Sequence, residues 1–169
     1  MDSDQLPRWR ETPAKQSIVE FVAAVTNPDS ADFAPESERI AVFDNDGTLW
    51  TELPMYAQLA FALDRAAELG HPASLQELQA GGMPALVDLV KLTHAGITTD
   101  EFEAVCRRWL ASARHPRSGR PYPAMVYQPM LELLGLLGRS GFSCWIFSGS
   151  GTDFMRSFAF EVYGLPHIG

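Results

Sequence analysis

The sequence predicts an α/β fold: a Rossmann-like parallel sheet core interrupted by a helical cap. Three observations predict it. The run Ile40-Ala41-Val42-Phe43 is short, rich in β-formers and free of polar alternation, so it reads as a strand buried on both faces. The stretch FSCWIF, residues 142–147, reads as a second strand with a helical pattern on either side. Between the strands lie roughly 80 residues with helical patterning.

Taken in order, residues 1–12 read as a flexible lead-in. Thr12 followed by Pro13 suits a helix cap with proline in the first turn. That helix runs to about Asn27, with Ile18, Phe21, Val22 and Val25 on one face. NPDSADFAPESE is a loop by its Pro, Asp and Ser content, and the first strand follows at 39–44. Pro54 to Gly70 carries Leu59, Ala60, Leu63 and Ala67 at helical spacing, and Pro84 to Ala95 carries Leu86, Leu89, Val90 and Leu92. Thr98 to Ala113 opens with Thr98-x-x-Glu101, a capping-box pattern. RHPRSGRPYP returns the chain to the sheet, and a helix from Pro129 to Gly141 leads into the second strand. A turn and a further helix follow in SGSGTDFMRSFAFEVYG. The expected boundaries are 1–50 and 125–169 for the core and 51–124 for the cap.

Composition narrows the function classes. Apolar residues make up 46% and charged residues 20% of the 169, enough for a packed core. The net charge of −8 and pI of about 4.9 argue against nucleic acid as a partner, because no basic stripe offsets the acids. A small anionic substrate remains compatible if a metal ion reverses the local sign. No apolar run reaches membrane-spanning length and the N-terminus lacks a signal-peptide core, so no membrane partner and a cytoplasmic location are expected. Cys106 and Cys144 lack metal-type spacing and read as buried thiols in a reducing compartment. His71, His94, His115 and His167 show no ligand spacing. Trp50, Tyr56 and Phe61 read as packing residues. Glu52 and Arg65 suit either a substrate face or a solvated helix, and Arg107, Arg108, Arg114 and Arg117 read as surface.

The chemistry-bearing residues gather at strand ends. Asp44-Asn45-Asp46-Gly47-Thr48 follows the first strand, and Ser148-Gly149 follows the second. The carboxyl ends of strands are where open α/β sheets bind ligands. Two adjacent carboxylates can divide the roles of nucleophile and proton donor. Ser148, a glycine-rich turn and a helix opening near Thr152 suit an anion. Carboxylate oxygens at such a place suit Mg²⁺, which shares its shell with water and phosphate. A tight turn alone would account for Asp, Asn and Gly, but not for Ser148 or the insertion.

At these residues the chain resembles the haloacid dehalogenase-like (HAD) hydrolase superfamily. Asp44, Asp46 and Thr48 match its Asp-x-Asp-x-Thr motif, Ser148 matches its second motif, and the insertion lies at its cap position. FDNDGTLWTELPMYAQLAFALDR, THAGITTDEF, RHPRSGRPYPAMVYQPMLELL and FSGSGTDFMR resemble a bacterial branch near the phosphoserine phosphatases. The resemblance covers residues 39–169. It implies a Mg²⁺-dependent phosphomonoester hydrolase acting on a small phosphorylated metabolite. Asp44 would attack phosphorus to form an aspartyl-phosphate, and Asp46 would protonate the leaving oxygen and then activate water. The Asp44 carboxylate and the Asp46 backbone carbonyl would ligate Mg²⁺. Ser148, the amides near Gly149, and Thr48 would form the phosphate-binding set. An acid at position 46 separates this pattern from the dehalogenases, which lack one there, and from P-type ATPases, which carry Thr.

The family pattern also has a third motif, Lys or Arg, and a fourth with one or two acids. Lys15 and Lys91 are the only lysines and neither fits the third. VYGLPHIG reads as the approach to a third strand. The expectation is a chain lacking the C-terminal strands, with an unpaired edge on strand one. The alternative function is therefore an incomplete fragment that binds phosphate or Mg²⁺ weakly, or pairs with another chain or itself through that edge.

Overall fold

The computed structural model describes residues 5–165. In chain order these form α1 (Pro13–Thr26), β1 (Ile40–Phe43), α2 (Ala57–Glu68), α3 (Leu75–His94), α4 (Thr99–Ser112), α5 (Gln128–Arg139), β2 (Ser143–Ile146), α6 (Thr152–Arg156) and α7 (Ala159–Tyr163). Contacts divide the chain into two compact units. The first holds residues 5–51, 126–149 and 159–165; the second holds 52–125 and 150–158. Among the described residues no helix is long and apolar enough to cross a membrane.

In the first unit β1 and β2 pair in parallel, in register from Ile40 opposite Ser143 to Phe43 opposite Ile146. The fold is thus α/β with a parallel sheet. Alternate residues of a strand face opposite sides. Ala41 and Phe43 share a side with Cys144 and Ile146, and the latter two are buried. α5 packs against β2. The other side carries Ile40 and Val42, which are 61% and 62% exposed, with Trp145 and Phe147. The expectation that the first strand is buried on both faces is therefore corrected. An apolar run records β preference, whereas burial depends on what the fold lays over it.

Other expectations in this unit shift as well. α1 forms as expected, with the Thr12 hydroxyl accepting the Lys15 amide at 3.4 Å. Val22 and Val25 are buried, but Phe21 lies at the rim of the stripe, exposed, its ring tilted against Phe142. The lead-in is not a loose tail over its described part. Leu6 is fully buried, the Trp9 indole donates to the Pro129 carbonyl at 2.8 Å, and Arg8 pairs with Glu132 at 2.8 Å. Lys15 is buried against Glu11, with Nζ to Oε1 at 2.6 Å.

In the second unit α2 packs on α3 around Ala62, Ala66 and Leu89. An aromatic cluster joins Phe61 to Phe102, Trp109 and Phe154, with ring centroids 5.4 to 5.6 Å apart. The buried face of α2 is turned from the expected one: Ala57, Phe61, Ala62 and Ala66 point inward and Ala67 outward. On α3, Leu89 and Thr93 are buried while Leu86 and Val90 are exposed. α3 starts earlier than Pro84, behind a capping box of Ser74 and Glu77. It bends at Gly82, whose φ of 60° favours glycine. That break precedes Pro84, which cannot donate to a continuous helix. Tyr56, expected to pack, is exposed.

After β2 the sequence predicts one helix, but α6 and α7 are separate five-residue helices. Both the hydroxyl and the amide of Ser157 donate to the Phe154 carbonyl, at 2.6 and 3.2 Å, which closes the first turn. Within VYGLPHIG, Val162 and Tyr163 belong to α7, and residues 166–169, with His167, lie outside the described residues.

Candidate active site

The register of the sheet carries Asp44 and Ser148 to one edge. The Phe147 amide donates to the Phe43 carbonyl at 2.8 Å, one step beyond the last paired residues. Asp44 and Ser148 follow directly, at the carboxyl ends of adjacent parallel strands. Asp44 is exposed, Ser148 is half-buried and Gly149 is exposed. An Asp44 carboxylate oxygen accepts the Asn45 amide at 2.7 Å.

Asn45 organises the turn that carries the acids. The residue is 1% exposed. Its carbonyl accepts the amides of Thr48, Leu49 and Trp50 at 3.2, 2.8 and 3.3 Å. Its Oδ1 accepts the Tyr163 hydroxyl at 2.8 Å, across 118 positions of sequence. Its Nδ2 is buried with no partner among the described residues. Gly47 has φ of 77° and donates to the Trp50 carbonyl at 2.9 Å. Only glycine adopts such a conformation at little cost, which explains Gly47 after Asp46. The Leu49 carbonyl accepts the Tyr127 amide at 2.9 Å, tying the turn to the start of α5.

Asp46 is half-buried, and its Oδ1 accepts the indole N–H of Trp50 at 2.8 Å. Trp50 is 1% exposed. Burial holds the Tyr163 hydroxyl well above its ordinary pKa, and the Asp46 charge adds to the effect. The phenol therefore stays neutral and serves as a donor. Thr48 lies in the same turn, half-buried.

One expected part does not assemble as supposed. The helix opening near Thr152 is only five residues long, and residues 150–158 group with the second unit. The Gly151 amide, at the N-cap of that helix, donates to Gln58 Oε1 at 2.6 Å. Among the described residues no three His, Cys, Asp or Glu side chains come together as a preformed metal cage.

The other residues singled out make contacts of their own within the fold. His115 is buried, with Nε2 2.6 Å from the Leu53 carbonyl and Nδ1 accepting the Ser118 amide at 3.2 Å. His94 stacks on Phe102 with centroids 4.0 Å apart. Arg65 pairs with Glu68 at 3.1 Å and Arg107 with Glu103 at 2.7 Å. Arg114 donates to the carbonyls of Ala111, Ser112 and Ala113 at the end of α4, where a cation complements the helix dipole. Both cysteines are free and buried; burial, then the charges of Glu103 and Asp153, push the Cys106 thiol up to about 12. Neither is an activated nucleophile.

The sequence places Asn45 in the acidic turn and Trp50 among the packing residues, but shows neither the bond from Tyr163 to Asn45 nor that from Trp50 to Asp46. No signal in the sequence separates a tryptophan that fills space from one that also donates to a carboxylate. A model of the haloacid dehalogenase-like hydrolase family matches residues 41–168. A search among curated proteins found no match to the chain.

Proposed function

Since the chain belongs to the haloacid dehalogenase-like hydrolases, we propose that it hydrolyses the phosphate monoester of a small metabolite, using Asp44 and Asp46. The carrying observation is the parallel register, which sets Asp44 and Ser148 at the carboxyl ends of adjacent strands, with Asp46 in the turn that follows β1. In the first step an Asp44 oxygen attacks phosphorus. The bond from phosphorus to the ester oxygen breaks, and that oxygen takes the proton from Asp46. In the second step a water attacks the aspartyl-phosphate and gives its proton to Asp46. Inorganic phosphate leaves and the Asp44 carboxylate is restored. Ser148, the Gly149 amide and Thr48 hold the equatorial oxygens, so the contribution is chiefly positioning and electrostatics.

The donor set fits Mg²⁺. Carboxylate and carbonyl oxygens are hard donors, and this ion commonly takes one or two protein carboxylates and completes its shell with water and phosphate. The Asp44 carboxylate and the Asp46 carbonyl would hold it, and it would offset the charge of the phosphoryl group. The likeness to phosphoserine phosphatases supports a small phosphorylated metabolite as substrate, and no residue here demands an amino acid.

The test is hydrolysis of p-nitrophenyl phosphate by the purified chain, with and without Mg²⁺, beside Asp44→Asn. Mg²⁺-dependent turnover is expected, falling about a thousandfold or more in the variant. Equal rates in the two proteins would overturn the reading. A second reading is self-association through the sheet, favoured by the exposure of Ile40 and Val42 and of Phe147 at 74%. A monomer at every concentration in sedimentation would remove it.

A further inference from the structure

The Trp50 indole is placed to do more than fill the core. A buried indole needs an acceptor, and a backbone carbonyl would serve. Here the acceptor is the Asp46 carboxylate, with Nε1 to Oδ1 at 2.8 Å. The tryptophan itself cannot yield. It is buried, its carbonyl accepts the Gly47 amide, its amide donates to Asn45, and its backbone bridges Val126. Backbone and side chain therefore close the turn around Asp46 from two directions.

An indole N–H only donates and does not titrate in the working range. It can bond Oδ1 whether Asp46 is ionised or protonated, because a carboxylic acid keeps a carbonyl-type oxygen that accepts. With Oδ1 held by the indole, the two oxygens of the carboxylate are no longer equivalent. An unrestrained Asp would exchange its two oxygens by rotation about χ2, a broad torsion for this side chain.

We propose that Trp50 is a positioning residue that fixes the carboxylate of Asp46, so that the same oxygen gives the proton to the leaving group and takes it back from water. The inference rests on the phosphatase reading above and deepens it. Misplacing a reacting group by about 1 Å can cost about a hundredfold in rate, so a fixed oxygen has a kinetic consequence.

The test replaces the donor and keeps the bulk. Trp50→Phe is one variant. Substitution of Trp50 by benzothienylalanine, which has sulfur in place of N–H, is a second that leaves the packing nearly unchanged. With p-nitrophenyl phosphate and Mg²⁺, kcat is expected to fall about ten- to a hundredfold with KM changed by less than about twofold. In an Asp46→Asn background the same substitution is expected to have no further effect on kcat. An unchanged kcat, a parallel shift in kcat and KM, or an equal loss in the Asp46→Asn background would overturn the proposal. A second readout needs no turnover. The Trp50 indole ¹H–¹⁵N signal, identified by its loss in Trp50→Phe, is expected to exchange slowly and to move in Asp46→Asn. A signal indifferent to Asp46 removes the contact and overturns the positioning role, while the phosphatase reading is left standing. A wild-type chain with no Mg²⁺-dependent turnover defeats the phosphatase reading and with it the proton-delivery role.

Discussion

Asn45 sits between the two acids yet faces the interior, where its carbonyl gathers three amides and its Oδ1 takes the Tyr163 hydroxyl. The acids are therefore carried on a turn whose middle residue is anchored. Tyr163→Phe removes that donor and leaves the buried Asn45 Oδ1 without the hydroxyl it accepts. Burying an unsatisfied polar group costs about 1–3 kcal/mol, so urea unfolding is expected to show a loss in that range. A loss below about 0.5 kcal/mol would mean that the hydroxyl contributes nothing to holding the turn. The same contrast explains what could be read from the sequence at this scale. Asp44, Asp46 and Ser148 stand out because polar groups at the ends of apolar strands need a reason. Asn45 looks like an ordinary turn former, and its partner lies 118 positions away. Trp50 looks like any core aromatic. A hydrogen bond between distant residues leaves no local pattern.

At the scale of elements, ends were more legible than faces. Thr12, Thr98 and Pro129 mark helix starts as expected, because capping is a local interaction between neighbours in sequence. Faces depend on what packs against them. The inward side of α2 is set by Phe61 meeting Phe102, Trp109 and Phe154, from elements far along the chain. β1 failed the reading in the same way, since nothing in IAVF states whether a second layer covers it. The capping box of α4 gives a prediction at this scale. The Thr98 hydroxyl accepts the Glu101 amide at 3.3 Å, and the Glu101 carboxylate accepts the Thr98 amide at 2.8 Å. Thr98→Ala is expected to cost about 1 kcal/mol in thermal or urea unfolding. The bond from the Thr98 backbone, then that from its side chain, holds the Glu101 carboxyl below its ordinary 4.5. A depressed folded-state pKa stabilises above the unfolded value and is lost as pH falls through the folded one. Wild type should therefore lose more stability than Thr98→Ala as pH drops from about 5 toward 3. Parallel acid limbs would show that the Thr98 hydroxyl does not help to hold the charge.

At the scale of the whole molecule, the chain passes between the two units at residues 51–52, 125–126, 149–150 and 158–159, so neither is a simple continuous segment. The two thiols divide between them, Cys144 in the first and Cys106 in the second, and both are buried. Each is a reporter for opening of its own unit. Burial raises both thiols, Cys106 to about 12 against an ordinary 9.0. A neutral buried thiol is a poor nucleophile, so a thiol reagent at pH 8 is expected to label neither in the folded chain. Labelling in pulses along a urea gradient should then give one midpoint per cysteine. Separate midpoints would identify the units as separate cooperative bodies, and coincident ones would make them a single body. The same pair predicts the alkaline behaviour. A raised folded-state pKa gives stability that is complete below the unfolded value and is lost as pH climbs toward the folded one. The Cys106 midpoint should therefore fall as pH rises from 9 toward 12, and Cys106→Ala, followed by far-ultraviolet circular dichroism, should fall less over the same interval. An identical alkaline decline in the variant would mean that ionisation of Cys106 is not what opens the second unit at high pH.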